Sequence, residues 1–456
     1  MGVSPARQIV YDVLRRVEAE GAYASDVLHE SLDARVKPAD AALATEIALG
    51  VLRWRRLLDC LLERHLKKQV EKLDLPVALA LRMGIYQLRF LEKIPARAAV
   101  NESVELVKRA RKTSAAGLVN AVLHKTAKEA STPADTLLPA SLSAVDRLGI
   151  LHSHPTWMVE RWLAHLDKAP TVALLQANNQ KPRLTCVLNE PDLRQQVFEE
   201  LERAGMRIEP GVLLRNAFAV SGGSPSNTRA FGDGEISIHD EASQAVPLLL
   251  DVRPGDRVLD LCAAPGGKTV ALARVAGSKG TVIAADRHAH RLRAMRAQFG
   301  RLKLASVHLV ELDAEQPLPF REKFDRILVD APCSGTGTLA RHPEIRWRLR
   351  PEQLREFHEM QVRMLTRAIA DLAPGGRLVY STCSIEPEEN EEVIAEALRE
   401  EPSVRRVRAD IVAASLRPHL VSGLDAGTLF ATDGFFRTSP SVHHTDGFFA
   451  AALDRP

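Results

Sequence analysis

From residue 240 onward the chain alternates short apolar runs with longer amphipathic ones, and that rhythm leaves few folds open. The apolar runs are RVLDL (257–261), GTVIAAD (280–286), ASVHLVELD (305–313), FDRILVD (324–330) and GRLVYST (376–382). Helix-period segments separate most of them, including a long one at 351–373. Strands that are apolar along their whole length are buried on both faces, and alternation with helices predicts a doubly wound parallel α/β sheet. Ligands of such sheets bind beyond the carboxyl ends of the strands. Asp260, Asp286, Asp313, Asp330 and Cys383 all fall at or just past those ends, so one crevice would collect them.

Upstream the pattern changes. Residues 5–127 repeat Leu, Ile and Val at three- and four-residue intervals, as in ALATEIALGVLRWRRLLDCLLERHL (42–66), and predict an all-helical domain. KEASTPADTLLPAS (128–141) has few apolar residues and reads as a linker. Between 142 and 235 the pattern is mixed. HPTWMVERWLAHL is helical, RLTCVLNE and NAFAV are extended, and DLRQQVFEELERAG is a helix with Asp192 as N-cap and Gly205 as its stop. That stretch is a small α+β module.

A chain of 456 residues exceeds a single core, so about two to four such units are expected. Its five cysteines, Cys60, Cys186, Cys262, Cys333 and Cys383, are odd in number and include no CxxC pair. This argues against a disulfide framework or a zinc ribbon and fits a reducing cytoplasm. No run approaches a membrane span, and the N-terminal stretch has no signal-peptide core, so the expected localisation is cytoplasmic, with no membrane partner. Net charge is only +3, but basic residues cluster at RWRR (53–56), KRARK (108–112) and RHAHRLRAMRAQFGRLK (287–303). Singly, each reads as a solvated helix face; three together make nucleic acid a serious candidate partner.

DLCAAPGGKT (260–269) is a small-residue turn between strand and helix, where backbone N–H groups and a helix N-terminus can approach a ligand. A Walker A loop would need glycine at position 262, which is Cys262, and GxGxxG is absent. S-adenosylmethionine carries no pyrophosphate and needs fewer glycines, but still requires an acid for its ribose hydroxyls. Asp286 stands where such an acid is expected, and Asp313 could accept from an adenine amino group. Each aspartate alone reads as a helix N-cap; three at successive strand ends beside this turn favour a cofactor.

DAPCSGTG (330–337) and STCS (381–384) put Cys333 and Cys383 in turns at strand ends. A buried structural cysteine would sit inside an apolar run, and Cys60 and Cys186 read that way; Cys262 reads as packing in the cofactor turn. A Cys/His protease would need a matched histidine, and a metal site would need more soft ligands nearby. Paired cysteines suit methylation of cytosine C5. A thiolate added at C6 turns the ring into an enamine, and a second group is then needed to help remove the C5 proton and expel the thiol. Asp330 could hold the N3 edge of the base protonated.

In this order, DLCAAPGGKT, DAPCSGTG and STCS resemble the signature of the Sun/RsmB RNA cytosine-5 methyltransferases. The resemblance implies Cys383 as nucleophile, Cys333 as the group assisting product release and Asp330 at the base. It implies an S-adenosylmethionine pocket lined by Cys262, Ala263, Ala264, Pro265, Gly266, Gly267, Lys268, Asp286, Arg291, Asp313 and Asp330. The N-terminal GVLRWRRLLD, GIYQLRFLEKIPARAAVNESVELVK and GLVNAVLHK are similar to the NusB-like RNA-binding domain of the bacterial RsmB branch. The implied organisation is multidomain: a NusB-like all-α domain (1–130), an α+β linker module (142–235) and a Rossmann-like class I methyltransferase domain (236–456). The implied substrate is one cytidine of 16S rRNA, free or in an early assembly particle; no metal is expected, and a monomer is the default expectation. Two rival readings stand beside it: the same chemistry on tRNA, and a non-catalytic NusB-like RNA-binding factor. Two positions depart from the family pattern, His239 for the usual Gln and Val187 for the usual Arg, and both bear on RNA contacts. The near repeat TDGFF at 432 and 445 reads as two adjacent terminal strands without functional weight.

Overall fold

The computed structural model describes residues 2–32 and 35–456. The chain forms two compact units, one of residues 1–180 with 339–348, the other of 181–338 with 349–456.

In the first unit the helices Pro5–Glu20, Pro38–Glu63, Leu75–Phe90, Ala96–Arg109 and Ala116–Lys128 share one apolar core. Their Leu, Val and Ile residues recur at helical spacing, so each helix presents a continuous stripe to its neighbours. The Tyr86 ring lies over Gly50, where a Cβ would fall 2.0 Å from it. The segment expected to be a linker belongs to this unit, because Leu137 and Leu138 are buried against the same core. Two apolar side chains there outweigh the Ser, Thr and Pro around them.

The RWRR cluster is turned largely inward. Arg53 is buried and donates to the Ala340 carbonyl at 2.8 Å, and Arg55 pairs with Glu18 at 3.1 Å. Arg56 donates to the His154 carbonyl, Asp146 and Thr156. These three arginines are occupied with packing, which removes that cluster from the surface available to a polyanion. The returning segment 339–348 carries the fully buried Arg346, which donates to the carbonyls of Arg53, Ser153 and Asn178 and to Asn179 Oδ1.

The second unit holds two sheets. Strands β1 (Leu184–Leu188), β2 (Arg207–Pro210), β3 (Ala217–Ser221) and β4 (Ile236–Ile238) form an antiparallel sheet in the order β2-β3-β1-β4. The helix Arg194–Arg203 contributes Val197 and Leu201 to its core. Asp192 is not the cap of this helix but lies in the 3-10 turn Pro191–Leu193 before it, while Gly205 follows the helix at φ +82.

The larger sheet contains β5 (Arg257–Leu261), β6 (Thr281–Asp286), β7 (Val307–Glu311), β8 (Phe324–Asp330), β9 (Leu372–Thr382), β10 (Arg405–Arg406), β11 (Phe436–Thr438) and β12 (Phe448–Asp454). Its order is β10-β12-β9-β8-β5-β6-β7, with β11 on β12. Strands β5 to β9 pair in parallel as the alternation predicts. The outer three depart from it: β12 runs antiparallel to β9, and β10 and β11 pair antiparallel to β12. Only residues 439–447 join β11 to β12, too short a connection for a parallel crossover, so that pair is antiparallel. The two TDGFF copies lead into β11 and β12, which are indeed neighbours. Chain order reverses between β5 and β8, the position beyond whose strand ends ligands of such sheets bind.

Candidate active site

Asp260 in β5, Asp286 closing β6 and Asp330 closing β8 stand at the carboxyl edge of the parallel strands, with Asp313 two residues beyond β7 and Cys383 one beyond β9. Fully buried Asp260 accepts from Thr269 Oγ1 at 2.6 Å, and its other oxygen has no partner among the described residues. Burial first, then the nearby Asp330 and Asp286 charges, push its carboxyl up to about 7, against the pull of Thr269.

The turn from Cys262 to Lys268 is held by backbone geometry. Cys262 sits at φ +77 and Gly266 at φ +103, and the amides of Cys262 and Ala263 both bond the Ala285 carbonyl. Burial pushes the Cys262 thiol well above its ordinary range, which suits packing. Gly267 opens the helix Gly267–Ala276. Asp286 accepts the His288 amide at 2.8 Å and lies 3.4 Å from the Ala264 amide, binding the turn to the end of β6. Asp313 accepts the Glu315 amide at 3.0 Å. Arg291 lies in the first turn of the helix Ala289–Arg301, with its side chain exposed.

Lys268 does not follow the backbone of its turn. Its ammonium donates to Asp330 Oδ2 and Ser243 Oγ, both at 2.7 Å, and lies 5.0 Å from the Phe448 ring. Asp330 Oδ1 accepts from Ser381 at 2.7 Å. The carboxylate is thereby fixed by one cation and one hydroxyl, its remaining lone pairs available to a base. His239 stands at this cluster as well: it bonds Ser243 Oγ at 2.8 Å, and a Cβ on Gly267 would meet its ring at 3.0 Å. Its departure from the family pattern therefore bears on the turn Cys262–Lys268, whereas Val187 is paired in β1 between β3 and β4.

The two thiols lie 3.3 Å apart. Cys333 is half-buried, and its thiol is raised well above the ordinary range, first by its bond with Cys383 and next by desolvation. Their loops are tied by Gly337, whose amide donates to the Cys383 carbonyl at 2.9 Å and whose carbonyl accepts from the Gly447 amide at 2.8 Å. The second TDGFF copy thus does serve this site, through Gly447 and Phe448. Of the other cysteines, Cys186 is buried in its core with its thiol pushed up to about 12, and Cys60 is partly buried in the helical unit.

Sequence reasoning missed the network behind the thiols. Glu389 accepts from the Ser334 amide at 2.7 Å, Ser384 Oγ at 2.5 Å, Gln361 Nε2 at 3.1 Å and Ser334 Oγ. Its signal was PEEN (387–390), two residues beyond STCS. Among the described residues no cluster of His, Cys, Asp and Glu could hold a metal, and no helix is long and apolar enough to cross a membrane.

Three family models match the chain: the NusB family over residues 4–128, a ferredoxin-like domain of the RsmF/B-like methyltransferases over 154–226, and the 16S rRNA methyltransferase RsmB/F over 247–454. The chain is 31% identical to the probable ribosomal RNA small subunit methyltransferase B of Bacillus subtilis, over 99% of each chain. It is 33% identical to the ribosomal RNA small subunit methyltransferase B of Pseudomonas putida, covering 86% of this chain and 89% of the relative. The crystal structure of PH0851 superposes with a TM-score of 0.81 at 25% identity, covering 100% of this chain and 99% of the other.

Proposed function

Because the chain belongs to the family of small-subunit ribosomal RNA methyltransferases B, we propose that it methylates C5 of one cytidine in 16S rRNA through a covalent Cys383–C6 adduct. The observation that carries this reading is the 3.3 Å approach of two thiols beside the Lys268–Asp330 pair.

The fit of S-adenosylmethionine rests on a turn of small residues, with Cys262 and Gly266 in the left-handed region and the buried Asp286 at its edge. Cys262 to Lys268, Asp286, Asp313 and Asp330 would hold the cofactor, with Arg291 at the rim. When bound, it supplies an electrophilic methyl group. Asp330, bonded to the Lys268 ammonium at 2.7 Å, stabilises a protonated N3 edge and makes C6 electrophilic. Cys383 then adds to C6, which places electron density on C5. After transfer Cys333, as its thiolate, takes the C5 proton, the C5–H electrons re-form the C5=C6 double bond, and the C6–S electrons leave on the Cys383 sulfur. The raised Cys333 thiol holds its proton in the resting site, and once that proton is lost its thiolate is a strong enough base to take the C5 proton. The substrate is 16S rRNA, free or in an early particle, and the enzyme works as a cytoplasmic monomer. Its functional divisions are 1–130, 142–235 and 236–456.

The test is a denaturing gel of Cys333→Ala and Cys383→Ala after incubation with S-adenosylmethionine and small-subunit rRNA. A slowly migrating protein–RNA adduct is expected from Cys333→Ala alone. An adduct from Cys383→Ala alone would exchange the two roles, and none from either would refute the covalent route.

A further inference from the structure

We propose that Glu389 is a positioning residue that sets the approach of Cys333 and Cys383; this rests on the roles given to the two cysteines above. Glu389 is fully buried, and the four donors that bond its carboxylate are all neutral. A buried carboxylate without a cation is expensive, and apolar packing would serve stability as well or better. Its partners show what the fold gains. Ser334 follows Cys333 in the chain and Ser384 follows Cys383, so one carboxylate grips the residue after each cysteine. Gln361 joins the same grip, donating to Glu389 and, at 2.8 Å, to the carbonyl of Pro332, the residue before Cys333. The two serine hydroxyls lie 3.1 Å from each other.

Glu389 is itself anchored. Its carbonyl accepts from the buried Tyr380 hydroxyl at 2.7 Å. The next residue, Asn390, donates to the Ser384 carbonyl at 3.0 Å and accepts from Thr382 Oγ1 at 2.6 Å. Both cysteine loops are thus referred to one rigid point beneath them, through the residues that flank the thiols. Burial raises the Glu389 carboxyl against the pull of its four donors, and its charge adds a little to the raised Cys333 thiol. The assignment stands on the bonding pattern alone.

The experiment compares the full-length protein with Glu389→Gln, Ser384→Ala and Ser334→Ala. It measures kcat and KM on small-subunit rRNA, the Kd for S-adenosylmethionine, the melting temperature, and the rate at which diamide joins Cys333 to Cys383. In that last reaction the diamide azo group accepts both thiol protons and two electrons as the S–S bond forms, so the rate reports thiol approach without any turnover. Glu389→Gln is expected to lower kcat about 100-fold, the usual cost of a misplacement near 1 Å, and to slow cross-linking by about tenfold or more. KM and the cofactor Kd should stay at parental values, and each serine variant should fall between. Parental kcat or a parental cross-linking rate in Glu389→Gln overturns the proposal. So does a kcat loss that arrives with a raised cofactor Kd and a lowered melting temperature, the mark of a merely structural role. If Glu389→Gln does not fold, the serine variants carry the same comparison. Turnover retained by Cys383→Ala in the same series would sink the cysteine roles, while the cross-linking rates still judge the clamp.

Discussion

Replacing Gly337 by alanine tests the closeness on which the site depends. A Cβ there would fall 2.1 Å from the Gly447 carbonyl oxygen, 2.7 Å from its carbonyl carbon and 2.9 Å from the Cys383 oxygen. Ordinary contact begins at 3.4 Å, so backbone on one side must retreat by 1.3 Å, the difference from 2.1 Å. No flexible side chain can absorb that movement. Two backbone hydrogen bonds stretch with it, Gly337 N to Cys383 O and Gly447 N to Gly337 O, at about 1 kcal/mol each. Overpacking adds about 1–3 kcal/mol, for a total on the order of 3–5 kcal/mol. The control is Gly300→Ala, in a helix where a new Cβ meets nothing within 4 Å; it should gain about 0.5–1 kcal/mol. Urea unfolding followed by fluorescence reads both variants, and rRNA methylation reads the consequence, since the Cys383 carbonyl is crowded too, at 2.9 Å. A Gly337→Ala protein with the parental unfolding midpoint and parental turnover would refute the close approach and the argument built on it.

Three further perturbations have worked outcomes. Asp260 carries a folded value of about 7 against an ordinary 3.8; the native state therefore holds its proton longer, and stability is full below pH 4 and declines as pH rises to 7. Asp260→Asn should abolish that decline, on the order of 4 kcal/mol, and unfolding midpoints of the two proteins that stay parallel from pH 5 to 8 would contradict it. Arg346→Met should destabilise the helical unit by about 3–5 kcal/mol, because three carbonyls and Asn179 lose their donor; calorimetry showing an unchanged transition would count against it. Reversing the charges of Lys108, Arg109 and Arg111 should lower RNA affinity and reduce the salt slope by about 0.9 for each phosphate no longer neutralised. An unaltered slope returns KRARK to a solvated face, in keeping with the Lys108–Glu105 and Lys112–Asp74 pairs already there.

Much of the fold was legible because periodicity is a local property. The helical repeat of 42–66 and the apolar runs at 257–261 and 324–330 each specify an element and its buried face without knowledge of the rest. The reading weakened where one residue type serves opposite ends. RWRR and KRARK look alike as sequence, yet Arg53 is buried while Arg109 and Arg111 are exposed, because the chain that covers Arg53 arrives from residues 339–348. KEASTPADTLLPAS read as a linker because its two buried leucines were outvoted by their neighbours.

By itself, then, the sequence determined at which strand ends Asp286, Asp330 and Cys383 stand, since motif and period are written along the chain. Tertiary structure alone decided what those side chains face. Lys268 turned from its own turn to Asp330 across 62 positions, Glu389 reached Ser334 across 55, and Gly447 came against Gly337. Such pairings depend on which strands become neighbours. That β8 lies beside both β5 and β9, with β12 beyond β9, follows from burying apolar strands on both faces, and no single segment encodes it.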